Sequence, residues 1–339
     1  MLDAFLHALP KVELHVHLLG SASPSTVAAL ARRHAPGPVP TDPDALIRFC
    51  TFRDFAHFIE VYDQVSQLVT GPTDVVDLVV GLAADLAAAN VRYAEVTVTP
   101  ATHVRAGLDP AALADALTEG RVRASRDHRV ELGWIFDTAG ELGPDAAWET
   151  LAWVLRHRPP GTVGFGLGGP EIGVERSRFA RVFAAARSEG LHSLPHAGET
   201  TGPATVWSAL TDLGAERIGH GIHAVGDPLL LDHLATHRIA LEVCPTSNVR
   251  TGAVATLSEH PLPQLVRHGV PVTLNTDDPG LFGCDLVGEY RLAHDRFGLT
   301  PAELVRIARN GVDAAFCPPG TKARIRAEID ALPLRGTGT

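Results

Sequence analysis

The sequence predicts one α/β domain over residues 1–339, folded as a (β/α)8 barrel, a TIM barrel, with additional helices. Three observations favour this fold class: eight short apolar runs, segments of helical periodicity between them, and no shift in composition that would mark a linker. A chain of 339 residues is long for one domain, but closed α/β barrels routinely have that length. We therefore expect a parallel sheet that closes on itself, with helices packed around it.

Eight apolar runs, each bounded by turn residues, are the predicted strands. They cover residues 12–18, 93–100, 130–137, 163–169, 191–195, 217–219, 239–244 and 270–274. Helical periodicity predicts helices near residues 24–34, 51–69, 73–89, 110–127, 146–156, 176–189, 301–316 and 321–332. Ser23 followed by Pro24 is typical of an N-cap and the first residue of a helix.

Segment 51–69 is unusually rich in phenylalanine for a protein with only 6% aromatic residues. Phe52, Phe55 and Phe58 follow helical spacing and form one apolar stripe. Such a stripe usually belongs to the core. Because this helix would follow the first strand, on the side where a barrel carries its loops, the alternative is that it walls the mouth of a pocket.

Composition and charge exclude several classes of protein. The formal charge is −10, and the 29 basic residues are scattered rather than clustered, which argues against a nucleic-acid partner. The four cysteines lie far apart, as expected for buried thiols in a reduced, cytoplasmic setting. The sequence contains neither a recognisable signal peptide nor an apolar run long enough to span a membrane. Nothing in it predicts an oligomeric state.

Polar residues stand at the ends of several predicted strands. In chain order they are His15 and His17, Gly169 and Glu171, His196 and Glu199, His220, and Asp277 and Asp278. Residues i and i+2 of a strand project from the same face, so the first pair would present two imidazoles side by side. The carboxyl ends of barrel strands meet at one face, where the active sites of this fold lie. We therefore expect these side chains to form one site.

Four of these residues form a candidate ligand set for a metal ion. They are His15, His17, His196 and Asp277. Three imidazoles and one carboxylate suit one Zn²⁺ per chain and leave one coordination position open for water. Zinc lowers the pKa of that water towards neutrality. Glu199 is placed to carry protons, His220 to hold the resulting hydroxide, and Asp278 to meet the substrate. Each motif alone is weak, because paired histidines are often core residues and Asp-Asp-Pro is often a turn.

In these motifs the sequence resembles the adenosine deaminase family of the amidohydrolase superfamily, a group of metal-dependent hydrolases. The resemblance extends from Pro10 to about Asn310. It rests on Lys-Val-Glu-Leu-His-Val-His-Leu at 11–18, Gly-Gly-Pro-Glu at 168–171, His-Ala-Gly-Glu at 196–199, Arg-Ile-Gly-His-Gly at 217–221, Cys-Pro-Thr-Ser-Asn at 244–248 and Leu-Asn-Thr-Asp-Asp-Pro at 274–279.

The resemblance implies zinc-dependent hydrolytic deamination at C6 of a 6-aminopurine nucleoside, with release of ammonia. In the family the matches to the same four ligands bind zinc, and the match to Glu199 carries a proton between the water and the ring N1. The match to His220 orients the hydroxide. The match to Asp278 hydrogen-bonds N7, and the backbone N–H at the match to Gly169 meets N3.

One position departs from the family members that act on adenosine. They carry an acid two residues after the second histidine, where it hydrogen-bonds the ribose 5′-hydroxyl, and this chain has Leu19 there. Leucine cannot accept that bond, which costs adenosine roughly 1–3 kcal/mol of binding. We therefore expect a nucleoside with an apolar group at the 5′ position. Leu19, Phe52 and Phe55, with Phe58, are the candidates to contact it.

Segments 20–24 and 166–173 look most like the bacterial branch that deaminates 6-amino-6-deoxyfutalosine to futalosine in menaquinone biosynthesis. That substrate has a carboxyphenyl-ketone arm in place of the 5′-hydroxyl, and Arg53 or Arg250 is a candidate to meet its carboxylate. The alternative substrates are adenosine, adenine or another 5′-modified adenosine.

Two interpretations outside this activity stay open. A metal-dependent phosphoesterase or amide hydrolase could use the same barrel, although no cluster of Arg or Lys stands beside the motifs to bind phosphate. A non-catalytic protein could bind a nucleoside without turnover, although intact Glu199, His220 and Asp277 argue against it.

Overall fold

The computed structural model describes residues 2–53 and 55–332, and it confirms the predicted barrel. Eight strands pair in chain order, and every pairing between them is parallel. The strands are β1 Lys11–His17, β2 Val91–Val98, β3 Glu131–Ala139, β4 Thr162–Gly168, β5 His192–Ala197, β6 Arg217–His220, β7 Ala240–Val243 and β8 Val272–Leu274. Each predicted strand overlaps one of them.

The barrel closes between β1 and the residues that follow β8. The connection is a parallel bridge between Val16 and Asp277. The N–H of His17 donates to the carbonyl of Asp277 at 2.9 Å, and the N–H of Asp277 donates to the carbonyl of His15 at 2.8 Å. Three predicted metal ligands are therefore joined through their backbones by the same hydrogen bonds that close the barrel.

Helices connect the strands and surround the barrel. In the described residues they are α1 Leu2–Ala8, α2 Pro24–Arg33, α3 Pro43–Phe49, α4 Phe55–Ser66, α5 Pro72–Ala88, α6 Pro100–Arg105, α7 Pro110–Arg123, α8 Gly143–His157, α9 Ala180–Ser188, α10 Pro203–Thr211, α11 Pro228–His237, α12 Pro245–Arg250, α13 Leu262–His268, α14 Pro279–Phe282, α15 Leu286–Asp295, α16 Pro301–Ala314 and α17 Pro319–Asp330. As predicted, the Ser23 hydroxyl caps α2 by accepting from the N–H of Thr26, and Pro24 begins the helix.

The structure corrects the extent of two predicted helices. The helix predicted over 51–69 is α4, which begins at Phe55, so Phe52 lies outside the helical stripe. The helix predicted over 110–127 ends as α7 at Arg123 and continues as one wider π-helical turn, after which Arg129 takes a left-handed φ of 59°. The predicted helices do not include α1, α3, α6, α10, α11, α12, α13, α14 and α15. Six of these have four to seven residues and are too short to display a period, whereas α10, α11 and α15 have nine or ten and were missed.

A charged network crosses the interior of the barrel. Arg217 on β6 pairs with Glu95 on β2 at 2.5 Å and also with Glu242 on β7. Since β2 and β6 are not neighbours in the sheet, the Arg217–Glu95 pair spans the interior. Breaking such a buried pair costs about 3–5 kcal/mol because it leaves an uncompensated charge. The network therefore ties opposite walls of the barrel together, beneath the strand ends.

None of the helices in the described ranges is both long and apolar enough to cross a membrane.

Candidate active site

The four predicted ligands meet at the carboxyl ends of β1, β5 and β8. One ligand atom each from His15, His17, His196 and Asp277 lies within 4.8 Å of the others. Oδ1 of Asp277 is 3.2 Å from Nε2 of His17 and 3.5 Å from Nε2 of His15. The ring centroids of His15 and His196 are 4.5 Å apart. Donor atoms this close can share one small cation.

The side chains of this cluster are held by further buried groups. Nδ1 of His15 lies 2.7 Å from a carboxylate oxygen of Glu242, which leaves Nε2 as the nitrogen that faces Asp277. The hydroxyl of Ser247 donates to Oδ2 of Asp277 at 2.6 Å, which leaves Oδ1 towards the histidines. A carboxylate partner on the outer ring nitrogen is the usual way in which proteins orient a histidine ligand. Each of these contacts turns one donor atom towards the centre of the cluster.

Two observations indicate that the cluster suits a cation. Nε2 of His15 and Nδ1 of His196 are buried, and neither has a hydrogen-bond partner in the described residues. Burial lowers the pKa of His15, but Asp277 and Glu242 outweigh it and raise the pKa to about 10. Positive charge beside Asp277 is therefore favoured, and a donor set of three imidazoles and one carboxylate fits zinc.

The backbone at two site residues adopts a conformation that L-residues rarely use. His220 has a φ of 59° and Asp277 a φ of 66°. A left-handed residue other than glycine costs about 1–3 kcal/mol, and the rest of the fold must compensate for that strain. Asn and Asp, and to a lesser degree His, tolerate this conformation best. His220 is the last residue of β6 and Asp277 follows β8, and both line the same cavity.

Glu199 lies beside the ligands without joining them. One of its carboxylate oxygens is 3.7 Å from Nε2 of His220, and the other accepts a hydrogen bond from the hydroxyl of Thr251 at 3.2 Å. Burial, followed by the charges of Asp277 and Glu171, raises the pKa of Glu199 to about 8. The carboxyl group therefore holds a proton near neutral pH and can exchange it with a bound ligand.

A chain of hydrogen bonds fixes the tautomer of His220. The N–H of Leu262 donates to Nδ1 of His260 at 3.2 Å, so the proton of this ring is on Nε2. Nε2 of His260 donates to Oδ1 of Asn248 at 3.1 Å, and Nδ2 of Asn248 donates to Nδ1 of His220 at 3.2 Å. His220 therefore carries its proton on Nε2, the nitrogen that faces Glu199 and Asp277.

The imidazole rings of His220 and His260 are both neutral. Burial and the neighbouring His15 lower the pKa of His220 to about 3, and burial lowers the pKa of His260 to about 4. A neutral imidazole with a single, fixed N–H is a directed donor. His220 can thus donate to an oxygen atom above the cluster but cannot bring a positive charge to it.

Asp278 follows a ligand but is not one of the four clustered donors. Its Oδ1 is buried and has no hydrogen-bond partner among the described residues. Burial and then the charge of Asp277 raise its pKa to about 7. A Cβ at Gly20 would overlap the Asp278 side chain, so only glycine at position 20 permits this close approach. Asp278 is therefore an unsatisfied carboxyl group that can donate or accept one hydrogen bond.

A cavity of about 430 Å³ opens from this cluster to the surface. Its inner end, which we call the floor, is formed by His17, His196, Glu199, His220, Asp277 and Asp278. Its outer end, which we call the mouth, is formed by Ile59, Tyr62, Asp63, Arg105, Glu141 and Leu142. Phe58, Thr99, Asp137 and Gly169 also line the cavity. A volume of this size is typical of sites for ligands larger than a single ring system.

The predicted substrate-contact residues occupy different places. Gly169 lines the cavity with a φ of 77°. Leu19 is 3% exposed and packs in the core, and neither it nor Phe52 is among the described residues that line the cavity. Phe52 instead lies behind Phe58, with ring centroids 5.3 Å apart. The side chain of Phe55 lies outside the described part of the structure.

Glu171, which sequence reasoning groups with the site, serves the loop after β5. One of its carboxylate oxygens accepts from the backbone N–H groups of Thr200 and Thr201 at 2.8 and 3.0 Å. The other faces Arg176 at 3.4 Å. Because these bonds hold the residues next to Glu199, Glu171 positions that side chain rather than the ligands.

Sequence reasoning misses several groups of the site. Asp137 lies two residues before the end of β3, lines the cavity and accepts from the hydroxyl of Thr99 at 2.5 Å. Its place at the end of the predicted third strand is the signal that could have found it. Glu242 has only the weak signal of a charged residue inside an apolar strand. Arg105 and His260 have no local signal, since their roles arise only where separate segments meet.

Comparisons with known proteins agree with this geometry. The adenosine deaminase family matches residues 10–332. The aminodeoxyfutalosine deaminase of Streptomyces coelicolor is 55% identical over 331 residues, which are 97% of this chain and 86% of that protein. Among solved structures, adenine deaminase from Arthrobacter aurescens has a TM-score of 0.90 at 28% identity. That similarity covers 95% of this chain and 98% of the adenine deaminase chain. An amidohydrolase from Burkholderia ambifaria, solved with bound Zn, has a TM-score of 0.88 at 31% identity. The similarity covers 97% of this chain and 91% of the amidohydrolase chain.

The family match spans nearly the whole chain, including every strand that carries a candidate ligand. The resemblance predicted from the six motifs is therefore confirmed, and the chain belongs to the adenosine deaminase family.

Proposed function

We propose that this chain is a hydrolytic deaminase whose substrate is aminodeoxyfutalosine. The reaction replaces the 6-amino group of the purine with oxygen, releases ammonia and yields futalosine, as a step of menaquinone biosynthesis. The observation that carries the proposal is the 55% identity to an aminodeoxyfutalosine deaminase over 97% of the chain. The convergence of the predicted metal ligands with Glu199, His220, Asp278 and Gly169 around one cavity supports it.

One zinc ion per chain is part of this proposal. His15, His17, His196 and Asp277 would hold it, and a bound zinc supplies the Lewis acid that makes water a nucleophile at neutral pH. The unpartnered ring nitrogens of His15 and His196 support this choice of ligands. A zinc-bound relative at 31% identity supports the choice of metal.

Glu199 is the proton carrier. Its protonated carboxyl donates to N1 of the purine as a water oxygen bonds to C6, and the resulting carboxylate takes one proton from that water. The adduct at C6 then holds a hydroxyl and the amino group. Glu199 passes a proton to the amino nitrogen and recovers the proton of the hydroxyl, so that the C–N bond breaks and ammonia leaves. The raised pKa of Glu199 supports this assignment.

The remaining groups orient the reacting atoms. His220 donates from Nε2 to the attacking oxygen, which the fixed tautomer of its ring supports. Asp278, with a pKa near 7, donates to the acceptor N7 in its protonated form. The backbone N–H of Gly169 donates to N3. Together these bonds place C6 above the ligand cluster.

A side-by-side assay tests this proposal. Ammonia release is measured for the full chain loaded with zinc, with aminodeoxyfutalosine, adenosine and adenine as substrates. We expect the highest kcat/KM for aminodeoxyfutalosine. Faster release from adenosine or adenine would contradict the choice of substrate, and release from none of the three would contradict the choice of reaction.

Adenine deamination is a second candidate. The structural similarity to an adenine deaminase, with a TM-score of 0.90, favours it. The cavity argues against it, because it continues past the floor to an exposed mouth that a bare purine base does not need. Adenine as the preferred substrate in the same assay would reverse this order.

A further inference from the structure

The mouth of the cavity combines exposed apolar side chains with one positive charge. Ile59 on α4 is 38% exposed, and Leu142, in the turn before α8, is 42% exposed. Among the described residues eight large apolar side chains are exposed, and these two stand at the same opening. Tyr62 continues this patch towards the floor. An apolar or aromatic group that leaves the cavity would bury these surfaces.

Arg105, the last residue of α6, stands at this opening. Among the described residues that line the cavity, it is the only Lys or Arg. Within residues 2–53 and 55–332, no carboxylate lies within 4.0 Å of its guanidinium, whereas many other arginines of the chain are paired. Its donors are therefore available to a ligand, and a guanidinium binds a carboxylate through two parallel hydrogen bonds.

The other charged groups of the mouth are acidic. Asp63 and Glu141 are both exposed and line the same opening. They repel a negatively charged ligand group, so a carboxylate at the mouth is favoured only on the side of Arg105. Arg53 and Arg250, the sequence-based candidates for this role, are exposed but are not among the described lining residues.

We propose that Arg105, with Ile59 and Leu142, forms a subsite at the mouth for a carboxylate at the end of an apolar or aromatic arm, attached to the 5′ side of the nucleoside. This inference rests on the proposed function, in which the purine occupies the floor. The floor selects the 6-aminopurine, and the mouth selects the acidic arm. Arg105 is thus a specificity-determining residue that takes no part in the deamination itself.

Kinetic measurements on the zinc-loaded full chain test the subsite. The substrates are aminodeoxyfutalosine, its carboxylate methyl ester and adenosine. The variants are Arg105→Gln, Arg105→Lys and the control Arg250→Gln. For Arg105→Gln we expect KM for the acid to rise about 5- to 30-fold, with kcat little changed and with the ester and adenosine unaffected. Arg105→Lys should recover part of the loss, and Arg250→Gln should match the wild type.

The outcomes separate this inference from the proposed function. If the wild type and Arg105→Gln use the acid with equal KM, while the wild type still prefers it to adenosine, the subsite is wrong and the proposed function stands. A wild type that prefers adenosine to both the acid and the ester contradicts the proposed function. In that case the subsite stands only if the acid is still preferred to the ester and Arg105→Gln abolishes that preference. An equal loss for Arg250→Gln would also overturn the role of Arg105.

Discussion

The floor and the mouth of the cavity are built in different ways. The floor consists of largely buried residues at or near strand ends, and hydrogen bonds within the barrel orient Asp277, His220 and the neighbouring His15. The mouth consists largely of exposed residues on helices and turns, without such restraints. We therefore expect the chemistry to depend on the rigid barrel, and the choice of substrate to depend on segments that can change without disturbing it.

If this division is right, damage to the floor affects kcat. Glu199→Gln removes the exchangeable proton but keeps the shape of the side chain and its contact with Thr251. We expect kcat to fall about 10²- to 10⁴-fold, as is usual when a general acid or base is lost. The measurement is ammonia release at saturating substrate, with metal content checked on the same sample.

Substrate binding provides the control for Glu199→Gln. Affinity for the substrate should change little, because the purine contacts assigned to Asp278 and Gly169 remain. A variant that retains full kcat would show that Glu199 does not carry the proton.

The hydrogen-bond chain behind His220 should have a smaller effect. In Asn248→Asp the new carboxylate accepts from Nδ1 of His220 and so moves the ring proton away from Nε2. We expect kcat to fall about 10- to 100-fold, the usual range for a residue that orients an active-site group, with KM nearly unchanged.

His260→Gln is the matched variant for this chain. The Gln side-chain amide can still donate to Oδ1 of Asn248, so this change should leave most of the activity. Melting curves for both variants separate misfolding from a wrong tautomer. Unchanged kcat in a folded Asn248→Asp protein would be inconsistent with the assigned tautomer.

The smallest effect is expected at the mouth. Ile59→Ser removes part of the exposed apolar patch, and we expect a rise of about 2- to 5-fold in KM for a substrate with an apolar arm, without a change in kcat. Ile47→Ser is the matched control, since Ile47 is 60% exposed on α3 and is not among the described lining residues. A loss of kcat in Ile59→Ser would contradict the assignment of catalysis to the floor and of substrate selection to the mouth.

The same division explains what the sequence could predict. The floor was predictable because strand ends of a barrel converge, so His15, His17, His196 and Asp277 could be placed together from their positions alone. The mouth was not, because α6 has only six residues and nothing in the sequence brings Arg105 to the opening. Leu19 is the opposite case, a predicted contact that the structure does not show. Its position in the motif suggests a contact with the substrate, but its side chain packs in the core.

The supporting groups of the floor were equally hidden. Glu242 reaches His15 across 227 positions of sequence, and His260 acts on His220 only through Asn248. Such contacts depend on the closed barrel and on loops between strands, and no local periodicity encodes them. The predicted ligands and catalytic residues could therefore be found from the sequence, whereas the residues that orient them, such as Glu242 and His260, could not.

The proposed function depends first on one metal ion bound by His15, His17, His196 and Asp277. The direct measurement is a titration of chelator-treated protein with Zn²⁺, in which bound metal and ammonia release are followed together. We expect activity to be absent at the start, to rise in proportion to bound zinc and to reach its maximum at about one ion per chain. Full activity in a sample free of metal, or an Asp277→Ala protein that still binds one zinc per chain at the wild-type affinity, would contradict it.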